Sequence, residues 1–473
     1  MTTYYVNNST GSNGNAGTSS GAPWKTLAYA AANVGSGDVV NLQTSTWREK
    51  LDIATANTTW QAQTGHTPVI DGNYHDGLFG MYGAAPGKLP PPPNVPGNVV
   101  ARYASMVEVR ASNVTVNGLT IQNSGGEGIG VTGLVHGVKI RNCLVDFTYT
   151  AGITLSDLSA NSAKRTGVEL TGNIISRSTW CYYDPLRFWS DWSGNGDVDY
   201  VGEVVAQTMK VSCTTGAIVR DNVGAYSAGE GFDLGKGNVD LLFEDNIAFG
   251  DRHYHVYLMY SRDTTVRRNV VFWPTNQPKP NEGASNPPGG IGIRDEEEGS
   301  KKGFTLQSGA FIYNNLVVGL GHPFGLAGTN SKTTVDRLYV GFNTFVGGPK
   351  TDKGMIFSPS VDGKHSGLIE NNVIDYRPVP PAIVIAQGQR DNLVFRNNCW
   401  SKAPPSMFQG TNSSTGSPNL ANSSATVTGQ NATGVGIPTN TFNQLNYQLT
   451  SSSTLCIGRA SNCLLYTSPS PRD

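Results

Sequence analysis

The segment "LLFEDNIAFGDRHYHVYLMYSRDTTVRRN", Leu241 to Asn269, holds the pattern that decides the fold. It opens and closes on a short apolar strand ending in asparagine, "LLFEDN" and "TTVRRN". Between them runs a second strand, "HVYL". Runs of β-branched, aliphatic and aromatic residues bounded by Gly, Asn or Asp read as strands, and no stretch longer than a few turns keeps a helical period.

The same phrase recurs along the chain. "VKIRN" ends at Asn142, "VELTGN" at Asn173, "AIVRDN" at Asn222, "FIYNN" at Asn315, "YVGFN" at Asn343, "LIENN" at Asn372 and "LVFRNN" at Asn398. "VTVNG" opens the series with Gly118 in the Asn slot. Most spacings run from 23 residues (Asn246 to Asn269) to 31 (Asn142 to Asn173). Two intervals, Asn173 to Asn222 and Asn269 to Asn315, are nearly double. Each doubled interval contains only one second strand, so it is one turn of the repeat carrying a long insertion. A fixed period in this range marks an array of stacked coils. Equivalent Asn side chains then stack from coil to coil and hydrogen-bond a buried turn, which must find partners for its backbone groups. The expectation is an all-β parallel solenoid.

Composition agrees. The 473 residues include 57 glycines and only 15% charged residues, with 34 Lys and Arg against 35 Asp and Glu. A net charge of −1 gives no global signal for nucleic acid or an anionic membrane. No apolar run approaches the roughly 20 residues of a membrane span, and no signal peptide precedes Tyr4. Six cysteines without CxxC spacing read as free or buried thiols rather than a zinc site. The segment "CLLYTSPSPRD", Cys463 to Asp473, resembles one reading frame of a sequencing-library adapter. That marks the gene as metagenomic, and the tail is set apart from the fold.

The N-terminal block "TYYVNNSTGSNGNAGTSSGAPWKTLAYAAANVGSGDVVNLQTSTWRE" from Thr3, followed by "PVIDGN" from Pro68, resembles the right-handed parallel β-helix proteins of the pectate-lyase-like superfamily. "YQLTSSSTLCIGRAS" from Tyr447 resembles their closing segment. The resemblance implies one β-helix domain over residues 1–461. An N-terminal cap over about residues 1–50 would carry a short amphipathic helix near Trp24 to Val34. It implies no single activity, because the superfamily spans lyases, hydrolases, epimerases and phage tail proteins.

Alternation along the second strands places Ile129, Ile153, Met209, Phe232, Val256 and Ile291 inward. One outward column then reads Gly130, Thr154, Lys210, Asp233, Tyr257, Gly292 and Gly325. The column before it reads Gly128, Gly152, Thr208, Gly231, His255 and Gly290, and Arg294 belongs to the column after. Insertions at about 180–207, 273–289 and 295–308 would wall the same face as a groove. Trp180, Tyr183, Trp189, Trp192 and Arg252 are expected to contact sugar there, with Arg294 holding an acidic one.

This chemistry suits β-elimination from a uronic-acid glycan. A cation or metal neutralises the carboxylate, a base removes the neighbouring proton, and an acid protonates the leaving oxygen. Lys210, Asp233, Lys236, His255 and Tyr257 are the candidate catalytic residues, with His255 the expected base. Glu230, Asp233 and Asp295 are candidate ligands for calcium, which takes clustered oxygens. The superfamily resemblance implies calcium with a Lys or Arg base, so Lys210 and Lys236 stand beside His255. Asp233 and Asp295, two rungs or roughly 9–10 Å apart, would suit an inverting hydrolase instead. A third reading is a glycan-binding solenoid on a virion or cell surface, oligomeric if virion-associated. The partner in every reading is a polysaccharide, anionic in the first, and the location is extracellular or on a virion.

Overall fold

The computed structural model describes residues 1–73, 104–178, 207–227, 229–251, 253–274, 288–295, 303–305, 307–326, 335–347, 354–357, 365–376, 392–420 and 452. These form two compact units, Met1–Leu158 with Ala163–Gly229, and Ser159–Ser162 with Glu230–Asp473. Each is a parallel β-helix with three long sheets.

In unit 1 the second strands of successive coils, Leu51–Ile53, Val107–Val109, Ile129–Val131, Ile153–Leu155 and Gln207–Lys210, pair in parallel. Their register stacks Leu51, Val107, Ile129, Ile153 and Met209, all fully buried. Like side chains thus repeat along one core column, and burial of this apolar surface drives the stacking. In unit 2 the equivalent strands are Glu230–Leu234, Val256–Leu258, Gly289–Ile293, His322–Leu326 and Ile356–Phe357. Phe232, Val256, Ile291 and Phe324 form the buried column.

The asparagine ladder is present, and its register is one residue later than the motif suggests at two coils. In unit 1, Asn142 is exposed and left-handed (φ 51°), while buried Cys143 occupies the ladder position. Gly118 is likewise left-handed (φ 73°), with buried Leu119 in the slot after it. The Cys143 backbone N–H donates to Asn173 Oδ1 at 3.0 Å, and Asn173 Nδ2 donates to Asn222 Oδ1 at 2.9 Å. In unit 2 the chain of buried amides runs Asn246, Asn269, Asn315, Asn343, Asn372, Asn398. Asn315, for example, donates to Val266 O and Asn343 Oδ1, each at 2.9 Å. The residue before each is left-handed even when it is Arg268 (φ 55°) or Phe342 (φ 56°), so the turn is enforced by tertiary pairing against local preference.

The cap helix spans Leu27–Asn33. Thr26 accepts from the Tyr29 N–H at 3.2 Å, and the Glu49 carboxylate accepts from Leu27 and Ala28, each at 3.1 Å. These contacts satisfy N-terminal donors that a helix leaves open. Leu27 and Ala30 are its buried face. Among the described residues no helix is long and apolar enough to cross a membrane. Cys143 and Cys213 are buried thiols outside any disulfide, whereas Cys399 is disulfide-bonded, a correction to the expected set of thiols.

Candidate functional site

Alternation holds from the inward position of each strand onwards but not one residue before it, where the chain comes out of the corner. A Cβ at Gly128 would lie 2.3 Å from Val145 Cγ1, and one at Gly152 would lie 2.2 Å from Ile175 Cγ2. In unit 2 a Cβ at Gly290 would meet Val317 Cγ1 at 2.7 Å. The column expected to face out therefore points into the core, and His255 belongs to it. His255 is fully buried; its Nδ1 lies 2.8 Å from Gly289 O, and its Nε2 accepts the Asp251 backbone N–H at 3.2 Å. Burial pushes its pKa down to about 4. His255 thus sits inside the coil with both ring nitrogens engaged, not on the outer face where it was expected.

The position one residue earlier faces out instead. In unit 1 this is Glu127; in unit 2 it is Glu230, Tyr254, Gly289 and His322, aligned by the strand register. Tyr254 lies flat over the glycine column. A Cβ at Gly289 or Gly292 would sit 2.4 Å from its Cδ1, and one at Gly325 would sit 2.8 Å from its Oη. The ring stacks on Tyr257, with centroids 5.3 Å apart and planes 7° apart, and meets His322 edge-on at 5.1 Å. Burial holds the Tyr254 hydroxyl up near 12 while the Arg294 charge pulls the other way. Arg294 is half-buried, its Nε has no hydrogen-bond partner, and it forms no ion pair among the described residues.

The other expected residues divide by environment. Tyr257 is buried under the Tyr254 ring. Asp233 stands between inward Phe232 and Leu234, in register with Tyr257, yet it is only 2% exposed. Lys236 is half-buried just past that strand. Glu230 faces His253 Nδ1 at 3.4 Å. Asp295 is not poised for a ligand. Its Oδ1 accepts from the Tyr260 N–H at 2.6 Å, its Oδ2 accepts from the Gln307 N–H at 2.7 Å, and burial raises its pKa to about 6.

In unit 1, Lys210 is buried and donates from Nζ to Asp157 Oδ2 at 3.1 Å, so its ammonium is already paired. Trp180, Tyr183, Trp189, Trp192 and Arg252 lie outside the described residues, as do most of the three insertions and the tail from Cys463.

Among the described residues no three Asp, Glu, His or Cys side chains gather to hold a metal, and both Asp295 oxygens are committed to backbone amides. Sequence reasoning missed Glu127, Tyr254 and His322. The signal was available: each sits two residues before an inward strand position, with a glycine nearby on the outer face.

No family model and no curated protein matches the chain. It is similar to solved structures of pectate lyase Pel9A (12% identity over 82% of each chain, TM-score 0.44). It is also similar to XylC in complex with xylose (11% identity, 84% of this chain and 75% of that one, TM-score 0.42). A third is the GH136 lacto-N-biosidase from Eubacterium ramulus (13% identity, 87% of this chain and 67% of that one, TM-score 0.40). These are remote likenesses, and the fold is read from this chain's own strand registers.

Proposed function

We propose that this protein is a polysaccharide-active β-helix enzyme that cleaves a uronic-acid glycan by β-elimination. The observation that carries this reading is Arg294, a half-buried guanidinium with no counter-ion among the described residues, beside the Tyr254 platform. A half-buried charge needs a partner, and a planar carboxylate matches a guanidinium through two parallel hydrogen bonds. The flat, apolar Tyr254 face, with Tyr257 behind it, offers a sugar ring a stacking surface.

In this scheme Arg294 neutralises the uronate carboxylate and acidifies the adjacent carbon-bound proton. The base that takes this proton is neither His255, sealed in the core, nor His322, whose two ring nitrogens are both shielded from solvent. The electron pair left by that proton forms the new carbon–carbon double bond as the glycosidic carbon–oxygen bond breaks. Tyr254, a phenol that stays protonated at neutral pH, supplies the proton to the leaving oxygen. No step passes through a metal. Location outside the cell or on a virion belongs to the same proposal, and the Cys399 disulfide supports an oxidising compartment.

The test is incubation with pectate, alginate, chondroitin and neutral glycans, following both the ultraviolet absorbance of an unsaturated product and new reducing ends. Absorbance on an acidic glycan, lost in Arg294→Gln, is the expected result. Reducing ends without absorbance would replace elimination by hydrolysis, although Asp295, one of the paired carboxylates expected for that reading, is engaged with backbone. Binding with neither signal would leave a glycan-binding solenoid.

A further inference from the structure

On the outer face of unit 1, Gly130 leaves a gap in the column between Glu108 and Thr154. The Glu127 side chain fills that gap: a Cβ at Gly130 would lie 2.6 Å from Glu127 Oε2 and 2.0 Å from Ser105 Oγ. Ser105 Oγ donates to Oε2 at 2.6 Å. Ser105 is its one hydrogen-bond partner among the described residues, so the second oxygen, Oε1, is left over. Thr154 approaches the carboxyl without reaching hydrogen-bond geometry, and its hydroxyl is buried with no partner of its own. A buried hydroxyl without a partner thus lies beside a carboxyl whose second oxygen accepts no hydrogen bond from the described residues, and the hydroxyl costs stability unless a ligand completes it.

We propose that the Glu127 carboxyl and the Thr154 hydroxyl form a glycan-contacting site on unit 1 that hydrogen-bonds a sugar oxygen. The ligand class rests on the functional reading above; the site itself does not. Burial is the main influence on Glu127 and raises its pKa above the ordinary glutamate range, opposed by Ser105, Thr154 and the Lys210 charge. Glu108 adds to the rise, itself bridged to Lys50, and Lys210 is bridged to Asp157. The neutral acid has a donor to offer and the carboxylate has none, so affinity falls as pH rises through the Glu127 range.

The experiment is calorimetric binding of the full chain to oligogalacturonate, oligomannuronate and xylo-oligosaccharide across pH, in wild type, Glu127→Gln and Glu127→Ala. The glutamine amide keeps a donor and cannot ionise, so this variant should bind with the pH trend removed. The alanine variant should bind about tenfold more weakly at the acid end, with thermal melts confirming that both fold. A wild-type pH trend that persists in Glu127→Gln, or unchanged affinity in both variants, overturns the site. Should Glu127→Ala not fold, the glutamine variant alone decides. Elimination activity with no effect of Glu127 on binding sinks this inference and leaves the functional reading standing. Binding governed by Glu127 without any elimination does the reverse, and no binding to any glycan removes both.

Discussion

Tyr254 stacks on Tyr257 with ring planes 7° apart, and it lies flat because Gly292 and Gly325 present bare backbone beneath it. The platform is thus set by what two strands lack. Gly292→Ala would place a methyl 2.4 Å from Tyr254 Cδ1 and lift the ring off the sheet. The expected cost is about 1–3 kcal/mol of stability, typical of overpacking. Glycan binding should weaken more than this suggests, because the stacking face is tilted. Urea denaturation alongside calorimetry separates the two effects.

Arg294 should discriminate by charge. Arg294→Gln is expected to lower turnover on a uronate polymer by about 10–100-fold, the worth of a hydrogen bond to a charged group. Binding of a neutral glycan should change little. Arg294→Lys keeps the charge but loses the planar fork, so it should rescue only in part. Equal losses on acidic and neutral glycans would show that the side chain packs rather than recognises.

The ladder predicts a large stability effect far from any ligand. Asn315 Oδ1 accepts from the Asn269 N–H at 3.0 Å, and Asn315 Nδ2 donates to Val266 O at 2.9 Å. Asn315→Ala orphans both buried backbone groups, at about 3 kcal/mol or more. Chemical denaturation is the measurement, and a loss under about 1 kcal/mol would mean that water replaces the amide.

Two buried groups set opposing pH trends. His255 has its folded pKa depressed to about 4, so its contribution to stability is intact above its ordinary value near 6.5. That contribution is lost as pH falls from there towards 4. Asp295 is raised to about 6, so its neutral form favours folding at low pH, and this favour is lost as pH rises from the ordinary carboxylate range through 6. His255→Gln should therefore flatten the acid side of a plot of melting temperature against pH. Asp295→Asn should steepen it, while also losing a backbone hydrogen bond because an amide N–H would face a backbone N–H. An acid limb unchanged in His255→Gln would show that other groups carry it.

How much of this was legible beforehand differs between backbone and site. The strands, the coil period and the ladder follow from spacing, because a stacked solenoid repeats the same local demand in each coil. The ladder register was misread at Asn142 and Gly118, where the motif shows the left-handed residue while Cys143 and Leu119 take the buried slot. Arg294 was read as a sugar contact, and the structure leaves it without a counter-charge among the described residues. His255 was misplaced because alternation was carried one residue before the inward strand position, where the chain comes out of the corner.

By itself the sequence determined that the chain would stack parallel coils about an apolar core with buried asparagines, since those features depend only on period and polarity. Tertiary structure alone decided which polar residues face the solvent. Each corner turns the chain by an amount that no strand period records, so His255 is rotated into the core and Tyr254 is brought out over the glycines. In unit 1 the same turn lays Glu127 over Gly130.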